Sequence, residues 1–198
     1  MTDTHGLQSL LDSRHVSPAT RRALADRLGP DTGWPDPAIF TDQQRETLTA
    51  VALRLIPDID GLPRPNLAKT FEYRIASPQG KGWRYAGLPP DVDTHRRLLG
   101  LIESQSAQAL GHSFRAISDA DQDAILLRLQ SGDARSPFDT ARAFEEMSAA
   151  MVECYASDPA VVVALGYVGF ADLPAWERIG LDERDDRDIS ATPSEIDG

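Results

Sequence analysis

The stretch FDTARAFEEMSAAMVECYASDPAVVVALGYVG, residues 138–169, decides the fold class. Ser136, Pro137 and Asp139 predict a helix start, because a hydroxyl caps free N–H groups, proline suits the first helical position and a carboxylate suits the first turn. We predict that this helix runs to about Ala156. Apolar residues recur along one side at steps of three or four, and charged residues recur along the other. The apolar set is Ala141, Phe144, Met147, Met151 and Tyr155, and the charged set is Arg142, Glu146 and Glu153.

A short second helix is predicted after the break at Ser157. Asp158 and Pro159 can restart the helix, and Gly166 can end it in the left-handed conformation. The residues from Val161 to Leu165 are all apolar. We therefore expect this helix to lie inside a core or against a partner protein.

The composition is that of a soluble globular protein with one domain. Of the 198 residues, 41% are hydrophobic and 26% are charged. The formal charge of -11 argues against nucleic acid or an anionic membrane as a partner. The single cysteine, Cys154, excludes an internal disulfide and a cysteine-built metal site. We interpret Cys154 as a small buried residue, with an intersubunit disulfide or a reactive thiol as the alternatives.

Caps, prolines and apolar spacing predict further helices along the rest of the chain. They begin at Ser17 and Pro18, at Thr41 with Gln44 as a capping box, at Asn66, at about Val92 and at Ser118; they end near Gly29, Pro57, Ala76, Gly111 and Gly132. The residues predicted to be buried on them are Ala23, Leu24, Leu28, Leu48, Val51, Ala52, Leu55, Ile56, Leu67, Phe71, Ile75, Leu98, Leu99, Ile102, Ala124, Ile125, Leu127 and Leu129.

The predicted fold is all-α, a single compact domain of six to eight helices joined by irregular loops, because no segment shows the alternation of a strand. Residues 1–40 are predicted to form an N-terminal helical extension and linker, and residues 41–181 the helical domain. Residues 182–198 are acidic and poor in apolar side chains, so we expect a disordered tail.

The sequence predicts no catalytic, cofactor-binding or metal-binding residues. The histidines have no paired spacing, and no Glu-x-x-His, haem-attachment or Walker motif occurs. The Gly80–Gly82 cluster and the pair Gly166 and Gly169 lack the strand that precedes a phosphate loop. Glu145 and Glu146 point in different directions on a helix, while Asp58 and Asp60 suit a turn. The histidines are His5, His15, His95 and His112.

Five blocks of the sequence, in this order, resemble the gluconate 2-dehydrogenase subunit 3 family. The blocks are LTAVALRLIP (48–57), GLPRPNLAKTFEYRI (61–75), AGLPPDVD (86–93), FRAISDADQDAILLRLQSGD (114–133) and the segment 144–169, which ends in CYASDPAVVVALGYVG. The resemblance covers roughly residues 40–170, and its most specific features are the block order and the closing Leu165 to Gly169.

The resemblance implies a small, cofactor-free helical subunit of an FAD-dependent sugar or polyol dehydrogenase of the glucose-methanol-choline (GMC) oxidoreductase type. Such subunits stabilise the flavoprotein and often assist its export with a twin-arginine signal. Here Asp26 and Arg27 interrupt the region after Arg21 and Arg22 that would have to be apolar in such a signal. We therefore expect a cytoplasmic protein, with a periplasmic location beside a signal-bearing partner as the alternative.

The leading hypothesis is a noncatalytic accessory subunit that binds a large FAD-dependent GMC-type oxidoreductase, with the FAD in that partner and no cofactor in this chain. The alternative is a stand-alone enzyme or a sugar-binding protein that uses the 77–90 loop and Trp83. Aromatic residues in predicted loops, together with one from the closing family motif, form the candidate partner interface. They are Trp34, Trp83, Tyr85, Tyr167 and Trp176.

Overall fold

The fold is all-α, as predicted, in a computed structural model that describes residues 8–9, 11–13, 16–27, 33–77, 87–133, 136–167 and 181. These residues contain no strand. The helices are α1 (Pro18–Arg27), α2 (Asp42–Leu55), α3 (Leu67–Ala76), α4 (Asp91–Leu110), a 3-10 turn (Phe114–Ala116), α5 (Asp119–Gln130), α6 (Thr140–Ala156) and α7 (Pro159–Ala164). The predicted disordered tail, 182–198, lies outside the described residues.

Helix α6 is the element around which the core is built. It packs against α2, α3, α4, α5 and α7. Its inner face is apolar and includes the predicted Phe144, Met147 and Met151, while Cys154 is buried beside them, as predicted. The other fully buried side chains of this main core come from α2, α3, α4, the 3-10 turn and α5: Leu48, Val51, Phe71, Leu98, Leu99, Ile102, Phe114 and Leu129.

Most predicted helix starts are confirmed by side-chain caps. Thr41 and Gln44 form the capping box of α2, and Ser118 accepts a hydrogen bond from the Asp121 N–H at 3.2 Å. The predicted start of α6 at Ser136 is wrong. Asp139 is the cap, because its Oδ1 accepts from the Arg142 N–H at 3.0 Å, and the helix begins only at Thr140.

The short helix α7 is also confirmed. Asp158 caps it and Pro159 is its first residue. Gly166 ends it with φ +65°, and the Tyr167 N–H donates to the Val162 carbonyl at 3.1 Å, as in a Schellman motif.

A second, small core covers one side of α7. Leu11, Val16 and Leu24 are buried together, and the partly buried Val163 packs against them. These three residues precede α2, whereas the main core begins at Phe40. The N-terminal part of the chain therefore supplies some of the cover that the apolar α7 needs.

Several burial predictions are wrong. Ala23, Ala124 and Leu127 are exposed. In α5 the buried positions are Gln122, Ile125, Leu126 and Leu129, the spacing of a single helical face, and this places positions 124 and 127 on the opposite face. Five further predicted residues are only half-buried, and Leu28 lies outside the described residues. The half-buried residues are Leu55, Ile56, Ile75, Ala141 and Tyr155.

Candidate functional site

A cleft of about 770 Å³ runs along the outer side of α2. Its walls come from α2, from the segment 33–40, called the strap below, from the loop 57–65, from the 3-10 turn and from the start of α5. The residues that line the cleft are Trp34, Asp42, Arg45, Glu46, Thr49, Ala50, Leu53, Arg54, Arg64, Arg115, Asp119 and Gln122. Arginine and carboxylate side chains dominate this set.

One end of the cleft is fixed by a buried carboxylate. Glu72 has no exposed surface, and it accepts two hydrogen bonds from Arg45, at 2.7 and 2.9 Å. It also accepts the N–H groups of Ile39 and Phe40, at 3.1 and 3.3 Å. The Arg45 guanidinium lies 4.6 Å from the ring centre of Trp34, within the range of a cation–π contact. Glu72 thus holds the strap against α2 and α3.

The hydrogen bonds that Arg45 donates to Glu72 raise the pKa of Arg45 and outweigh the opposite effect of burial. The guanidinium therefore stays charged, as arginine does throughout proteins. The Trp34 ring, predicted from the sequence to belong to a partner interface, stacks on this cation within the chain.

The other end of the cleft is held by Arg54. Its Nε and Nη2 donate to the two carboxylate oxygens of Asp123, at 2.8 and 2.6 Å, and its Nη1 donates to Asp119 at 2.5 Å. This two-point hydrogen bond lowers the pKa of Asp123, because it favours the ionised carboxylate. The same contacts raise the pKa of Arg54. The arrangement ties the end of α2 to the first turns of α5.

Two further ion pairs involve the remaining arginines that line the cleft. Arg64 pairs with Asp58 in the loop 57–65, and Arg115 lies 3.4 Å from Glu46. Each guanidinium that lines the cleft is thus matched by a carboxylate of the same chain. Such a surface is suited to recognising another charged and polar surface, and arginine with tryptophan is enriched at protein interfaces.

The five predicted interface residues fall in different places. Trp34 is half-buried and lines the cleft. Tyr167 is 54% exposed after the end of α7 and does not line the cleft. Trp83, Tyr85 and Trp176 lie outside the described residues, as does most of the loop 77–90. The prediction of a shared interface stays a prediction.

The sequence patterns did not predict roles for Arg45, Arg54 and Glu72. A signal for Glu72 was present, since it lies next to Phe71 and four residues after Ala68, on the face of α3 that the apolar residues mark as buried. A carboxylate on such a face requires a cation or several N–H donors. No comparable signal marks Arg54, because Asp123 is 69 residues away in the sequence.

Within the described ranges, no group of three or more His, Cys, Asp and Glu side chains is arranged to hold a metal ion. No helix in that part of the chain is long and apolar enough to cross a membrane.

These features define the class as a small all-helical protein whose described part carries a cleft lined by paired charges. The sequence model of the gluconate 2-dehydrogenase subunit 3 family matches residues 42–179, and the chain belongs to that family. The match begins at α2 and therefore excludes α1 and the strap. No curated protein and no solved structure matches the sequence.

Proposed function

We propose that this chain is a noncatalytic accessory subunit that binds and stabilises a larger FAD-dependent oxidoreductase of the GMC type. The partner would act on a sugar, a glycoside or a polyol and would hold the FAD, and this chain would hold no cofactor. The observation that carries the proposal is the family match over residues 42–179, whose name describes a subunit of gluconate 2-dehydrogenase.

The chemistry of the cleft supports a binding role over catalysis by this chain. A carboxylate that acts as general acid or base works best with a pKa close to the working pH. The pKa of Asp123 is shifted in the opposite direction by Arg54. The Glu72 carboxylate is buried and already accepts four hydrogen bonds. Both groups hold the fold in place, and neither is placed to exchange a proton with a substrate.

We further propose a cytoplasmic location for the complex. Arg21 and Arg22 belong to the helix α1, and Asp26 and Arg27 interrupt its apolar run after only three residues. Cell fractionation of the native host would test this: recovery with the periplasmic fraction would favour export alongside a signal-bearing partner.

Copurification from the native host tests the proposed function. The tagged full-length chain should bring down a large flavoprotein, identified by mass spectrometry, and the complex should show flavin absorbance. The chain purified alone should be colourless and should not oxidise sugars or polyols. Flavin bound to the isolated chain, or activity of that chain alone, would contradict the proposal and favour the enzyme or sugar-binding alternative.

Stabilisation is a separate part of the proposal. The flavoprotein should unfold at a lower temperature when it is produced without this chain than when both are produced together, because a bound partner stabilises the folded state. Equal melting temperatures would show that this chain does not stabilise it.

A further inference from the structure

A second concavity lies beneath the loop 57–65. It has a volume of about 280 Å³ and a mainly apolar lining. Leu53 and Ile59 line it and are 46% and 48% exposed, so they offer apolar surface to a partner. Three prolines, Pro57, Pro63 and Pro65, form part of its wall. Proline restricts the backbone, and a preformed wall lowers the entropy cost of binding.

The apolar cavity adjoins the charged cleft. Thr49, Leu53 and Arg64 line both. The two together, called the groove below, extend along α2 from Trp34 in the strap to Tyr155 of α6. One part of the groove is apolar, and the other is charged.

The size of the cavity decides what can fill it. A cavity of about 150 Å³ holds benzene, and whole small ligands occupy pockets of roughly 300–1,000 Å³. A volume of about 280 Å³ is therefore large enough for one aromatic or branched aliphatic side chain and small for a complete ligand. Single apolar side chains that fill such pockets account for much of the binding energy at protein interfaces.

The charges around the groove indicate which residues of a partner would flank the apolar side chain that fills the cavity. Arg45 and Arg54 are only 15% and 25% exposed, and Glu72 and Asp123 balance their charges, while Asp42 and Asp119 also lie within 4 Å of these two guanidinium groups. Among the remaining charged residues that line the groove, the exposed carboxylates outnumber the exposed guanidinium groups by four to two. They are Asp42, Glu46, Asp58 and Asp119 against Arg64 and Arg115. The rim is net negative, as is the whole chain.

We propose that the groove binds a segment of the partner subunit in which one large apolar side chain is flanked by lysine or arginine. The apolar side chain fills the cavity between Leu53, Ile59 and the proline wall, and the basic residues face the exposed carboxylates of the cleft. This inference rests on the proposed function, because it assigns the surface through which the accessory subunit holds its partner.

Photo-crosslinking in the intact complex tests the groove. The photoreactive residue p-benzoylphenylalanine replaces Leu53 in one full-length variant and Leu127 in a control variant. Leu127 is 62% exposed on α5 and lines neither the cleft nor the cavity. We expect crosslinks from position 53 to a partner peptide that contains a large apolar residue beside lysine or arginine, and none from position 127.

The outcomes separate the two proposals. If the complex forms but position 53 crosslinks only to a second copy of this chain, to an acidic segment or to nothing, the groove assignment is overturned and the subunit function stands. If no complex with a flavoprotein forms at all, the proposed function fails and this inference fails with it.

A binding measurement gives an independent check. Leu53→Glu should weaken the complex by about 10-fold or more, since it places a charge at the mouth of an apolar pocket, whereas Leu127→Glu should leave the affinity unchanged. Affinity of the unmodified chain should fall as salt rises, because screening weakens pairing between the rim and the basic flanks. Helical circular dichroism establishes that both variants fold. Equal affinity of the two variants, or no salt dependence, would contradict the proposal.

Discussion

At the scale of single residues, Glu72 connects three parts of the chain. Glu72 belongs to α3. Its carboxylate accepts hydrogen bonds from Arg45 of α2 and from the N–H groups of Ile39 and Phe40 in the strap. A buried ion pair does not stabilise a fold more than a well-packed apolar pair of the same shape. Removing one partner is nevertheless destabilising, because the other charge is then buried without a counter-charge. The strap therefore depends on Glu72 more than on any exposed pair in the cleft.

Glu72→Gln should destabilise the fold by about 3 kcal/mol, because it keeps the side-chain shape but removes the charge opposite Arg45. Urea unfolding followed by circular dichroism measures the change. Asp58→Asn is the control, since the pair that it breaks with Arg64 is exposed and should contribute at most about 1 kcal/mol. Similar losses in the two variants would show that Arg45 finds another partner.

The pair between Arg54 and Asp123 leads to a prediction about pH. The pKa of Asp123 is lower in the folded chain than in the unfolded one, so its contribution to stability is fully present above about pH 4. That contribution is lost as the pH falls through the lowered, folded-state pKa. NMR titration of the Asp123 carboxyl should show the low pKa, and Arg54→Gln should return it towards the usual value. An unchanged titration in Arg54→Gln would mean that Arg54 is not the cause.

At the scale of elements, local chemistry predicts most helix boundaries because a cap acts within one turn. Thr41, Ser118 and Asp158 were identifiable in this way. The start of α6 could not be identified in this way, because Ser136 and Asp139 are both good capping residues and lie three residues apart. Phe138 lies between them and packs against the main core, so the choice depends on a contact that the local sequence does not contain.

Helix faces and the candidate site were harder to predict for a related reason. In α5 the run from Ala124 to Leu127 is entirely apolar, so composition alone does not show which of its residues face inward. The charged cleft depends on pairs that are far apart in the sequence. Arg45 is 27 residues from Glu72, and Arg54 is 69 residues from Asp123. Such pairing depends on how α2 packs against α3 and α5.

One glycine inside α4 and the glycine that follows this helix should respond in opposite ways to the same substitution. Gly100 lies inside the helix, where an added Cβ meets no atom within 4 Å, so Gly100→Ala should stabilise the fold by about 0.5–1 kcal/mol. Gly111 ends the helix with φ +74°, so Gly111→Ala should destabilise it by about 1 kcal/mol. Thermal and urea unfolding measure both changes. Effects of the same sign would show that backbone conformation does not determine them.

At the scale of the whole molecule, the chain contains a main core and a small N-terminal core. The small core consists of Leu11, Val16 and Leu24 against Val163. The strap belongs to the main core, because Phe40 is buried there and Trp34 and Ile39 pack against it. The family match begins at residue 42, after both α1 and the strap. The predicted boundary between the N-terminal extension, residues 1–40, and the helical domain, residues 41–181, stays a prediction. Because the strap contacts the main core, shortened chains that keep or lack the strap can test this boundary.

A chain that begins at Gly33 should keep the fold of the main core. The deletion removes α1 and uncovers the partly buried Val163, and loss of that contact should cost no more than about 2 kcal/mol. Far-UV circular dichroism and a single cooperative thermal transition would confirm it. Loss of cooperative unfolding would show that the N-terminal core is required for the main one.

A chain that begins at Thr41 provides the contrast and should be far less stable than the one that begins at Gly33. Only eight further residues are lost, but they include Trp34, Ile39 and Phe40, so Glu72 loses two N–H donors and the core loses the buried Phe40 ring. Replacing a buried phenylalanine by alanine already costs about 3–5 kcal/mol. If the two shortened chains were equally stable in urea, the strap would not belong to the folding unit, and the domain would begin at α2, as the sequence predicts.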